Sequence, residues 1–212
     1  MAALPYFGTY GRFTATEKGD GARLFSADSL IGDEITCSLE MESGRAVGTL
    51  SNRFGGKIGV LDRPTSEAVQ LCRAKGWDVH LLLASVYQEQ GGSGSQWGEV
   101  VMCAYPKSSA DALDSFVSGV GNLLAGGTRP DVDLQQASLD RVVESGGSWM
   151  PTGRIPAARA EGSVLVKARR SPNDTMIELA RAKNPGCMVA GWAFIAGVVA
   201  LAIYLAKTLL GF

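Results

Sequence analysis

A single histidine, His80, stands in the 212 residues, and that scarcity removes most metal and nucleophile chemistry at once. Structural zinc draws on Cys and His at short spacings, and a Ser or Cys nucleophile needs a base beside it, usually histidine. The four cysteines, Cys37, Cys72, Cys103 and Cys187, have no close neighbours of their own kind. Neither a paired-cysteine metal motif nor a disulfide framework can be read from them. Excess charge is missing too: 20 Lys+Arg stand against 21 Asp+Glu, with 46% hydrophobic and 19% charged residues. That balance excludes a disordered acidic chain and a basic nucleic-acid binder. The glycine-rich stretches lack what nucleotides require. Residues 91–95 (GGSGS) have no lysine and Ser/Thr after them, and Gly119 and Gly121 fall inside a helical pattern rather than between strand and helix. No two carboxylates are forced into one cleft by their spacing. His80 shares a strand face with Asp78 and Leu82 and is read as a satisfied polar residue, while Cys37, Cys72 and Cys103 take apolar-facing positions as small core residues. Neither a cofactor nor a catalytic constellation is expected.

What the chain has in strength is one apolar run. Residues 186–206 (GCMVAGWAFIAGVVALAIYLA) carry no charge, and at about 1.5 Å per residue they match a hydrocarbon core of about 30 Å. A transmembrane helix is therefore predicted, with Trp192, Tyr204 and Lys207 near its ends as interfacial anchors. Seven basic residues stand against three acidic ones over residues 154–183, and only Lys207 follows the span. The positive-inside tendency then keeps the N-terminal part cytoplasmic. The first 20 residues show no basic n-region followed by an apolar core. The expected topology is that of a single-pass, tail-anchored protein of the cell membrane.

Ahead of the span, short β-leaning stretches alternate with turns. Residues 31–40, 46–50 and 57–61 read as a small meander. Asp62, Pro64 and Gly76 frame a helix of about ten residues. Residues 77–87 and 97–105 form a long hairpin around a polar loop. A capping box over residues 108–111 opens the strongest helix, with Leu113, Phe116, Val117, Val120 and Leu124 on one face, and a weaker helix covers residues 133–145. The predicted fold class is α+β: a small β-rich, barrel-like or meander head with two to three packed helices, plus one C-terminal transmembrane helix. The predicted organisation is a head over 1–145, a linker over 146–162, a basic juxtamembrane segment over 163–185, the span over 186–206 and a short tail over 207–212. The juxtamembrane segment is expected to hold a short strand and then a helix capped from Ser171 with Pro172 at its first position.

Gly32-Asp33-Glu34-Ile35 leading into a strand, Lys57-Ile58-Gly59-Val60-Leu61, and the helix and Gly76-Trp77 strand that follow give residues 32–86 a resemblance to the HIRAN family. The resemblance implies a small β-barrel module and single-stranded DNA ends as its ligand. The Asn-Pro-x-Asp segment common in that family is replaced here by Glu42-Ser43-Gly44-Arg45. The chain as a whole resembles C-terminally anchored bacterial membrane proteins in which a similar head precedes Asn184-Pro185-Gly186-Cys187, and that likeness implies topology and no activity.

With a total charge of −1 and the basic excess concentrated over residues 154–183, the remainder of the head is net acidic, which argues against nucleic acid as a partner. The function expected is that of a binding or scaffold module whose partner is a protein. The alternatives are a HIRAN-like nucleic-acid module at the membrane and an enzyme with a site assembled from scattered residues. Besides the bilayer itself, anionic lipid is an expected partner of Lys167, Arg169, Arg170, Arg181 and Lys183. A small-residue stripe of Ala190, Ala193, Gly197 and Ala200 would allow a homodimer through the span.

Overall fold

A computed structural model of the chain describes residues 4–90, 94–158, 162–174 and 176. The chain divides into two compact units, Met1–Arg170 and Ser171–Phe212. The first is an α+β unit around a seven-stranded sheet in the order β2-β3-β4-β1-β6-β5-β7. Its strands are β1 (Phe7–Thr14), β2 (Thr36–Glu42), β3 (Arg45–Ser51), β4 (Lys57–Leu61), β5 (Trp77–Glu89), β6 (Gln96–Pro106) and β7 (Ser163–Lys167), and its helices are α1 (Lys18–Phe25), α2 (Arg63–Ala74), α3 (Ala110–Ala125) and α4 (Gln136–Glu144). Each strand pairing is antiparallel.

Turn chemistry sets the meander. Ser43 and Gly44 both take positive φ (51° and 77°), as a two-residue hairpin loop between right-twisted strands demands. At the next turn, Asn52 accepts from the N–H groups of Phe54 and Gly56. Asp62 caps α2 by accepting from Thr65 N–H at 3.0 Å, and Gly76, with φ 74°, follows its end. The β5–β6 hairpin lies where the sequence places it, but its burial is not that of a half-exposed strand pair. From Leu81 to Tyr87 both faces of β5 are buried. The helix α3 supplies the second cover, laying Leu113, Phe116, Val117, Val120 and Leu124 toward the core.

Two expectations are corrected here, and two elements are added. No side-chain cap opens α3; a 3-10 turn over Lys107–Ser109 leads into it instead. The helix expected from Asp133 begins at Gln136, because Asp133 N–H is taken by the Asp131 carboxylate and Leu134 N–H by the Val132 carbonyl. β1 and α1, which the sequence pattern did not announce, are central: β1 joins β4 to β6, and Phe13 and Leu24 are fully buried.

Between the glycines after α4 and β7, the chain read as a linker hydrogen-bonds to residues 129–131, through Asp131 N–H to Gly153 O and Ile155 N–H to Arg129 O. The strand expected within residues 163–170 is β7, the seventh of the head's sheet. In the second unit, Ser171 and Asp174 bond reciprocally, each side chain accepting from the other's backbone N–H, which is the expected helix start. Among the described residues no helix is long and apolar enough to cross a membrane, and the predicted span at 186–206 lies outside the described residues.

Candidate functional site

The sheet's two ends approach each other at one place. Gly32 N–H donates to Leu83 O, Leu83 N–H to Asp33 O and Ile35 N–H to Leu81 O, so the chain leading into β2 pairs with the outer edge of β5. Beyond the Ile35–Leu81 bond the two strands part. β2 keeps only β3 as a partner, and β7 covers β5 only at Val86–Glu89, which leaves the Trp77–His80 edge of β5 without a strand among the described residues. A cleft of about 400 Å³ occupies the divergence, lined by Glu34, Ile35, Thr36, Cys37, Val79 and Leu81, with Arg53 and Arg73 at its walls.

The floor is apolar, since Ile35 and Leu81 are buried in the core. The walls are cationic. Arg73, in the last turn of α2, donates to Cys37 O at 2.9 Å, which identifies that carbonyl as one pointing away from β3. Arg53, in the β3–β4 turn, has its guanidinium over the exposed Phe54 ring and no carboxylate within ion-pair distance among the described residues. Glu34 is already engaged: His80 Nδ1 and Glu34 Oε1 lie 2.8 Å apart. His80 stacks on Tyr105 with 5.3 Å between centroids, and Tyr105 donates to Asp114 at 2.6 Å. Burial raises the Tyr105 phenol, and its bond to Asp114 raises it further. This cluster ties the lead into β2, β5, β6 and α3 together at the end of the cleft; the lone histidine is bonded through Nδ1 alone, its buried Nε2 lying 3.8 Å from the Asp114 carboxylate with no hydrogen-bond partner among the described residues.

The three described thiols are buried. Burial raises Cys37 and Cys72, with smaller opposing effects from Arg73 and Lys75, and pushes Cys103 up to about 12 despite a bond from the Tyr6 hydroxyl. None is a poised thiolate. A second polar cluster lies within the fold. Glu99 accepts from Ser85 (2.7 Å) and Tyr87 (2.9 Å) and pairs with Arg129 at 3.0 Å, while Arg129 also donates to Ser85 and lies over the Tyr10 ring. It is buried, with Arg129 Nε left without a hydrogen-bond partner among the described residues, and it fixes the irregular chain before α4 on the sheet.

Of the residues singled out for the membrane surface, Lys167 and Arg170 are engaged by the head itself. Lys167 Nζ donates to the carbonyls of Leu24, Ser26 and Ser29, and Arg170 donates to Ile31 O and to the Asp33 carboxylate. Arg169 is exposed. Arg181, Lys183, Ala190, Ala193, Gly197 and Ala200 lie outside the described residues. Of the cleft residues, Glu34 entered the sequence reading only within Gly32-Asp33-Glu34-Ile35, and Thr36, Arg53, Arg73 and Val79 were not singled out as site residues. Comparison with family models, with curated proteins and with solved structures returned no match.

Proposed function

We propose that the protein is a membrane-anchored binding module: residues 186–206 cross the bilayer once, the head stays on the cytoplasmic side, and the cleft between β2 and β5 receives a partner. The observation that carries the binding half is the cleft, where an apolar floor, unpaired strand edges and two guanidinium groups meet in one concavity of a size usual for ligand sites. The anchor half rests on the uncharged length of the apolar run and on the basic residues that precede it. Arg169, Arg181 and Lys183 supply the charge for anionic headgroups, because Lys167 and Arg170 are spent on the head. Ala190, Ala193, Gly197 and Ala200 supply the stripe for self-association within the bilayer.

Photo-cross-linking from position 36 in the intact, membrane-inserted chain tests the binding half. An adduct from Thr36 that is absent from a probe at exposed Glu144 supports the reading; no adduct at either position, or equal adducts at both, sinks it.

A further inference from the structure

We propose that the partner of the cleft is an extended acidic peptide segment, which adds to the sheet as a strand and places a carboxylate between Arg53 and Arg73. The inference rests on the binding-module reading and names the ligand class of that site. Three observations carry it.

Antiparallel ladders alternate residues that bond inward with residues that bond outward. Ile35 N–H already reaches Leu81 O across the gap, so position 81 of β5 faces the cleft, and two residues on, Val79 faces it too. On the other wall, Cys37 O points away from β3 because Arg73 reaches it. The β5 wall therefore presents main-chain groups at Val79 that an inserted strand would satisfy, whereas on the β2 wall the Cys37 carbonyl already accepts from Arg73; main-chain bonding along β5 gives affinity independent of side chain.

Charge selects the ligand. The cleft holds two guanidiniums and one carboxylate, and that carboxylate, Glu34, is bonded to His80. Among the described residues Arg53 contacts the Phe54 ring and no carboxylate, and Arg73 spends one nitrogen on a neutral carbonyl. Two guanidiniums with donors to spare match a carboxylate in geometry as well as in sign. The apolar floor of Ile35 and Leu81 accepts an aliphatic side chain on the alternate position of the same strand.

The test uses the full chain in lipid nanodiscs and a short fluorescein-labelled peptide of alternating valine and aspartate, alongside a valine–lysine peptide and a valine–aspartate peptide methylated on its backbone nitrogens. Tight binding of the aspartate peptide, weak binding of the other two and a loss of about tenfold for R53E support the proposal, as does a shift of R53E toward the lysine peptide. R73Q keeps a donor for the Cys37 carbonyl and so separates charge from folding; it too loses about tenfold. Equal affinity for aspartate and lysine peptides, undiminished binding of the methylated peptide, or displacement of the peptide by a single-stranded oligonucleotide at lower concentration overturns it. A specific Thr36 cross-link together with charge-blind peptide binding overturns the ligand class and leaves the binding module standing; the absence of any Thr36 adduct removes both.

Discussion

Single residues fix where the sheet closes. Gly32 has φ 85°, and a Cβ there would run into the Gly121 carbonyl oxygen. Gly32→Ala is expected to cost about 1–2 kcal/mol for the left-handed backbone and a further 1–3 kcal/mol for the clash, read as a lower urea midpoint. Arg129 and Glu99 are buried as a pair, so removing one partner strands the other. Arg129→Ala should destabilise by about 3–5 kcal/mol, and a loss below about 1 kcal/mol would mean that water reaches Glu99. The thiol of Cys103 gives a pH prediction with a definite sign. Its value is raised from 9.0 to about 12 by burial, so above the ordinary thiol range the unfolded chain sheds a proton that the folded chain keeps. Stability is unaffected below that range and falls as pH rises from about 9 toward 12, by about 1.4 kcal/mol per pH unit from this group. Urea unfolding of the wild type and of Cys103→Ala across that interval should show the shallower slope in the variant. The burial of this residue was legible, since it sits on the apolar face of an evident strand; its fellow Gly32 was read as part of a strand lead, with no sign that α3 would lie against it.

Among the elements, legibility followed local chemistry. The β2–β3 hairpin, α2 and the β5–β6 hairpin are specified by neighbours in sequence: Ser43 and Gly44, Asp62 with Thr65, and long β-branched and aromatic runs. β1 was obscured because Gly8 and Gly11, which read as punctuation, are there to admit the Val132 carbonyl and the Thr65 side chain. α1 has two glycines and a weak apolar face, and it is held by the Asp20 carboxylate, which accepts from the N–H groups of Thr16 and Glu17 and from the Thr16 hydroxyl. The cleft could not be read at all, because it arises where two strands distant in sequence separate. β7 was foreseen as a strand but not as a strap. Its lysine draws three carbonyls, Leu24 in the last turn of α1 and Ser26 and Ser29 after it, onto one ammonium, and Arg170 holds Ile31 and Asp33, next to the residues that line the cleft. Lys167→Met is expected to lose about 1.5–3 kcal/mol and to speed amide exchange selectively over residues 24–33. Exchange that rises uniformly across the sheet would mean that the lysine supports the fold at large rather than this segment.

At the scale of the molecule, the compact unit ends at Arg170 and the apolar run begins at residue 186. Deleting residues 186–212 is expected to release a folded head into the soluble fraction, with its tryptophan fluorescence and thermal transition intact, because the described core lies wholly within the first unit. A truncated chain that aggregates would place part of the stabilising surface beyond Arg170. The proposed placement is a head on the cytoplasmic side held at a bilayer by one span. Protease treatment of sealed, inverted membrane vesicles carrying the full chain, followed by alkaline extraction, tests it most directly. Digestion of the head is expected to leave a small fragment containing residues 186–206 that resists extraction. An intact, protected chain would place the head on the other side of the membrane, and a chain released whole by alkali would contradict the anchor.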